Sequence, residues 1–279
     1  MTANTPTDML HWIPEPLTHA FMQRAFLGMA LCAIACACIG SHLVVRRMTF
    51  VGSALTHTLL PGVVAAWLMG ISTYIGAGVA GLVTAGLVVL VGRRRESGED
   101  AAIGVVQSAL FALGIILMAQ AQSWRDFTGL LFGSVLGIDD AELGLMASLC
   151  LVVIGVLIMI HKELEASALD DEYASMAGAR PIVLRLLLVA LAGVAAASAV
   201  RLVGAMLTTA FLIVPAAGGV LLARSLSQVI FWSVLLSLIG GTSGLCVSYY
   251  YESIPAGAGM VMGCCLAFAL ARLWRSWRG

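Results

Sequence analysis

Nine long apolar stretches constrain this chain more than anything else in it: about residues 20–44, 50–70, 73–92, 101–121, 142–161, 182–200, 202–223, 229–250 and 256–273. About 20 apolar residues, rising 1.5 Å each as a helix, cross a hydrocarbon core of roughly 30 Å. None of the stretches alternates with period two and all exceed ten residues, which sets aside a β-barrel. Composition agrees. Hydrophobic residues make up 61%, charged residues 11%, and mean hydropathy is +1.01, whereas a globular domain carries about 25% charge. The sequence therefore predicts an integral membrane protein, an all-α polytopic bundle, and excludes a soluble enzyme. Fifteen basic residues balance fifteen acidic ones, which removes nucleic acid as a partner and leaves membrane lipid as the surrounding medium.

Nine spans are predicted, or eight if the glycine-containing region 124–140 is re-entrant. Residues 1–19 form a segment before the first span, 20–273 a single transmembrane domain, and 274–279 a tail. The start does not read as a signal peptide, because its first basic residue is Arg24 and Pro14 and Pro16 interrupt a polar run. Twelve basic residues, from Arg46 and Arg47 to Arg275 and Arg278, fall at alternate segment ends, against Arg24, Arg125 and Arg201 at the others. The positive-inside rule then puts the N-terminus outside and the C-terminus in the cytoplasm. All seven cysteines lie inside apolar stretches and read as small packing residues rather than a disulfide framework.

One cytoplasmic loop, 162–181, is dense in charge: residues 162–180 hold seven of the thirty. Asp170, Asp171 and Glu172 crowd the start of a short helix, where carboxylates favour the positive end of the dipole. Leu169, Tyr173 and Met176 recur at i, i+4 and i+7 as one apolar stripe. Gly178 supplies a C-terminal stop, with Pro181 three residues later. Membrane-surface helices carry a basic polar face. This one is acidic, so docking to a cytoplasmic protein is favoured over lying on lipid.

Energy must come from elsewhere. The single lysine, Lys162, follows His161, so no G-x-x-x-x-G-K-[ST] loop exists. All fifteen carboxylates lie in loops or at segment ends, unlike the interior carboxylates of ion-coupled carriers. Both observations point to an ATPase on a separate chain. A self-contained metal-ion channel or secondary carrier is the alternative.

Few polar residues enter the membrane. His57 lies mid-stretch in VGSALTHTLLPGV, with Ser53 and Thr56 nearby and Pro61 four residues on. It either hydrogen-bonds a neighbouring helix or contacts a metal or proton in a pathway. Pro61 frees the carbonyl near His57, so backbone there can line a polar cavity. His42 reads as a headgroup-level residue, and His161 and Lys162 as the close of the fifth span. Pro215 in FLIVPAA deprives the Phe211 carbonyl of its usual partner. That span is expected to kink and face the bundle with Thr208 or Thr209 nearby, for a pathway or for packing alone. Gly241-Thr242-Ser243-Gly244 has the form of an intramembrane serine protease site, but no histidine base follows His161. It reads as helix packing, as do Gly76, Gly78 and Gly81.

RRMTFVGSALTHTLLPGV (46–63), EDAAIGVVQSALFALGIIL (99–117), LLFGSVLGI (130–138), VRLVGAMLTTAFLIVPAAGGVLLA (200–223) and YYYESIPAGAGMVM (249–262) together resemble the permease subunit of bacterial zinc/manganese ATP-binding-cassette importers. The resemblance runs in order from about 40 to 270. It implies a vitamin-B12-importer-like permease fold, a permease dimer, two cytoplasmic ATP-binding subunits and an extracytoplasmic metal-binding protein. It further implies that 162–180 holds the helix seated on the ATPase, and that the cargo is zinc or manganese, with iron open. No permanently bound cofactor is implied, and the bacterial inner membrane is the implied location. The family commonly has aspartate where Ser53 stands here, four residues before His57 on the same helical face. Losing that hard carboxylate tilts slightly toward zinc, and one His57 cannot alone complete four-coordinate zinc.

Overall fold

The first apolar stretch becomes helix α1, Ala20–Val45, in which small residues outnumber large ones along the packing faces. It stops where Arg46 and Arg47 follow, Arg47 turning with φ 57°. The second stretch is a single membrane-length segment, Thr49–Leu68, interrupted once. α2 (Thr49–Thr58) and α3 (Leu60–Leu68) meet at Leu59, with Pro61 in the first turn of α3. Proline cannot donate to the carbonyl four residues earlier, that of His57, so the ladder breaks there. In this computed structural model of the chain, the described residues are 16–92, 99–120, 133, 135–169, 171–176, 178–251 and 253–278.

The remaining elements follow in chain order: α4 (Thr73–Gly92), α5 (Glu99–Gln120), a 3-10 turn at Val135–Gly137, α6 (Asp140–Met159), α7 (His161–Leu169), α8 (Asp171–Met176), α9 (Pro181–Val203), α10 (Ala205–Leu222), α11 (Leu226–Tyr250) and α12 (Ala256–Arg278). No strand occurs among the described residues. The starts follow capping chemistry. Asp139 accepts the Glu142 amide at 2.6 Å before α6, Ser225 accepts that of Gln228 at 3.4 Å before α11, and Pro181 opens α9 at a position that needs no donor.

Each of the nine apolar stretches is helical, but the expected eight or nine spans are corrected. Among the described residues seven helices are long and apolar enough to cross a membrane, and the described parts of two more, Thr73–Val88 and Leu207–Leu222, are shorter. Apolar composition shows that a stretch is compatible with the membrane, not that it crosses whole. Gly204, with φ 89°, breaks the chain out of α9 before α10 begins. Gly133 (φ 78°) packs so closely on Leu202 and Gly204 that a Cβ would collide with their backbone. Buried Val135 and Ile138 then carry the chain to α6. Residues 121–132 lie outside the described set.

α1 runs through the centre, packed against α6, α9, α10 and α11. Its Ala33, Cys36, Ile39 and Leu43 are fully buried with Leu188, Ala192, Leu202, Phe211 and Leu212. In lipid no hydrophobic force draws helices together, so close van der Waals approach between small residues must hold the bundle. Gly40 accordingly lies against the Leu212 carbonyl, Gly240 against the backbone of Cys264, and Gly244 against Gly259. The cysteines are all free.

Candidate functional site: the His57 segment and the α7–α8 face

α2 carries two neighbouring polar residues that face different helices, as successive residues on an α-helix lie about 100° apart. Thr56 is fully buried and its hydroxyl lies 2.6 Å from that of Thr209 on α10, while it also donates to the Ser53 carbonyl at 2.9 Å. His57, half-buried, turns to α5, where its ring meets Phe111 edge-on at a centroid distance of 5.5 Å. Ser53 lies one turn before His57 on the same face and is half-buried. The structure thus joins Thr56 to Thr209, a pair that sequence reasoning did not connect. Nothing in the linear pattern shows which threonine of Thr208-Thr209 faces across. Thr208 instead donates back to the Gly204 carbonyl at 2.7 Å, fully buried.

Both prolines are buried. Pro61 sits at the α2–α3 break, and Pro215 lies inside α10, which continues through it to Leu222. Phe211, one turn earlier, is also fully buried. Among the described residues no three His, Cys, Asp or Glu side chains stand where they could hold a metal ion together. One chain therefore offers His57 and neutral oxygens, a weak set suited to contact rather than storage.

At the end of α1 the Arg46 guanidinium donates to the Leu164 carbonyl at 2.6 Å and to the Ser167 hydroxyl at 3.1 Å, fastening α7 to the bundle. Beside it is a cleft of about 540 Å³ whose lining includes Arg46, Arg47, Ser167, Pro181 and Arg185. The first half of the charged loop, expected only as loop, is helical as α7. α8 then spans Asp171–Met176, with Glu172 and Met176 exposed and Ala174 fully buried. Leu169 closes α7 and Tyr173 lies within α8, but their side chains, and the whole of Asp170, lie outside the described set. Gly178 has φ 88° and donates to the Ser175 carbonyl at 3.1 Å, while the Ala179 amide bonds Ala174 at 3.0 Å. This is a glycine stop of the kind the left-handed region allows. His42, read from sequence as a headgroup-level residue, is instead 1% exposed inside the bundle.

A bundle of apolar helices with sparse polar residues along one interior seam and an exposed acidic helix at one face defines a multi-pass membrane transport permease. The chain belongs to the ABC 3 transport family, which matches residues 18–275. It is similar to the manganese transport system membrane protein MntC of Listeria monocytogenes, with 32% identity over 263 residues and 94% of each chain covered. It is also similar to the chelated iron transport system membrane protein YfeC of Yersinia pestis, 27% identical over 249 residues, covering 89% of this chain and 85% of that one. Among solved structures, PsaBC from Streptococcus pneumoniae in complex with Fab matches with a TM-score of 0.86 and 28% identity, covering 94% of this chain and 95% of that one.

Proposed function

We propose that this permease forms the translocation path of an importer for a divalent transition metal, manganese before zinc or iron. The observation that carries the reading is the position of His57. It is an imidazole in mid-span, half-buried against Phe111, on a helix whose ladder breaks beside it. The ion passes His57 and the hydroxyl of Ser53, and the absent carboxylate at Ser53 keeps the contact transient. Manganese is ranked first because the MntC relative carries that metal in its name; the neutral Ser53 pulls weakly toward zinc.

Two copies of a cytoplasmic ATP-binding subunit drive the cycle, contacting the loop through Leu169, Asp170, Glu172, Tyr173 and Met176, with Gly178 ending the contact. A second permease copy completes the path, and an extracytoplasmic metal-binding protein delivers the ion. The N-terminus is outside, the C-terminus and α7–α8 cytoplasmic, in the inner membrane. The absence of any buried Asp or Glu among the described residues supports an external energy source over ion coupling. The test is uptake of manganese, zinc and iron into vesicles holding the permease and its partner chains, with and without ATP. ATP-dependent manganese uptake is expected. Uptake that persists without ATP, or a permease that retains no ATPase on purification, would instead make the chain a self-contained channel or carrier.

A further inference from the structure

We propose that His42 and His161, with Cys38, form a second cation site of zinc-type preference, apart from His57, that clamps α7 to α1. Cys38 and His42 are four residues apart on α1 and share a face. His161 is the first residue of α7. All three line one cavity of about 370 Å³ whose other walls are apolar, including Ile154, Leu157 and Ile230. The two imidazole rings lie 6.4 Å apart, edge to face at 78°.

The second observation is the state of His42. Its side chain is 1% exposed, yet its Nδ1 has no hydrogen-bond partner. Such a buried nitrogen is costly if nothing meets it, and native proteins leave few of them without a water or an ion. A trapped water needs two to four polar partners, and among the lining residues these same three side chains are the ones that could provide them. A cation shared by His42 and His161 meets the need directly. Two nitrogens and a sulfur are borderline to soft donors, which suit zinc and disfavour manganese.

No three ligating side chains stand at coordinating distance among the described residues. The ion must therefore draw the two rings together by side-chain rotation, with the Cys38 sulfur and water filling the remaining positions. Lys162 and Glu163, next to His161, are exposed, so the ion enters from the water boundary rather than from the bundle. Arg46 already ties α7 to the end of α1. Its charge opposes a second cation nearby, so the site binds less tightly than a structural zinc cage. Occupancy adds a second tie at the first residue of α7 and restrains the segment leading to α8.

The experiment measures zinc bound to the purified full-length permease in lipid nanodiscs, by competition with a chromophoric chelator. It is joined by amide exchange across 161–169. His42→Phe (which keeps ring volume), His161→Ala and Cys38→Ser are compared with His57→Ala. The two histidine variants should weaken one zinc equivalent by about tenfold or more, since even outer-shell partners of a metal ligand are worth 10–100-fold. His57→Ala should keep that equivalent, and manganese should not displace it. Zinc should slow exchange across 161–169 in the parent and not in His161→Ala, at a half-buried position. Unchanged zinc binding in both histidine variants overturns the site, as does loss of the same equivalent in His57→Ala. Because the readout is binding, its outcome does not depend on which ion the permease carries.

Discussion

α1 and α5 have nearly the same mean hydropathy, 2.0 and 1.9, yet 67% of the first span is buried and only 22% of the second. Hydropathy places both in the membrane and says nothing about depth within the bundle. What separates them is side-chain size at the contact faces. α1 presents Gly28, Ala33, Cys36, Ala37 and Gly40 to its neighbours, and Gly40 seats directly on the Leu212 carbonyl. α5 turns Val105 and Ile116 outward, and Gly104 meets nothing. α5 nevertheless supplies Phe111 to His57 and packs Gly114 on Leu60. The His57 segment therefore lies on the seam between a tightly packed centre and a loosely held periphery. Rearrangement there disturbs few contacts, as a path that must open and close requires.

The largest effect expected from that contrast comes from adding bulk. A side chain at Gly244 would overlap the backbone of Gly259 and Met260, where neither helix can yield. Gly244→Leu should cost more than the roughly 1–3 kcal/mol typical of overpacking, because backbone is the obstacle. It should remove the monodisperse peak in size-exclusion chromatography. Gly104→Leu on α5 should leave the peak intact. Equal damage from both would erase the distinction between centre and periphery.

Next in size is uncoupling without unfolding. Tyr173→Asp with Met176→Asp should abolish cargo-stimulated ATP turnover in the assembled transporter, since Met176 is 81% exposed and unsupported by the bundle. The unfolding temperature of the isolated permease should not move. A folded double variant with normal turnover would put the ATPase contact on another surface.

How far all this was legible in the residues follows the same divide. Helical character, the nine stretches and the glycine stop at Gly178 were readable, because apolar length and local turn chemistry act through neighbours in sequence. Span number was not, because apolar composition shows that a stretch is compatible with lipid without showing that it crosses whole. The division between α9 and α10 was itself readable, as the separate stretches 182–200 and 202–223. Depth was illegible too. His42 sits three residues before the end of α1, which suggests the interface, yet α6 and α7 close over it. The Thr56–Thr209 pairing depends on the rotation of α10, which no local pattern encodes.

A smaller effect is expected on the seam itself. His57→Ala should lower metal uptake by about tenfold, the loss of one contact worth roughly 1.4 kcal/mol at the barrier, while stability and ATPase assembly hold. Ser53→Asp, one turn away, should be tolerated and should slow release of the ion. Normal uptake in a correctly assembled His57→Ala transporter would leave His57 as a packing residue against Phe111 and move the path elsewhere.

The smallest effect concerns the tether between centre and periphery. Arg24 near the start of α1 meets Asp140, the first residue of α6, through Nε at 2.7 Å and a terminal nitrogen at 3.0 Å. The pair is bidentate, but the side chains are 40% and 76% exposed, so water and salt screen it. Exposed pairs contribute about 0.2–1 kcal/mol, and Arg24→Gln should destabilise the permease by no more than that, less in high salt. Asp140→Asn should cost slightly more, because Asp140 also faces the positive end of the α6 dipole, a separate contribution of about 0.3–1 kcal/mol. The double variant then separates the two. If it is no worse than Asp140→Asn alone, Arg24 acts only through this pair. If the costs add, Arg24 has a further role at the mouth of the bundle, and α6 is held to α1 by packing alone.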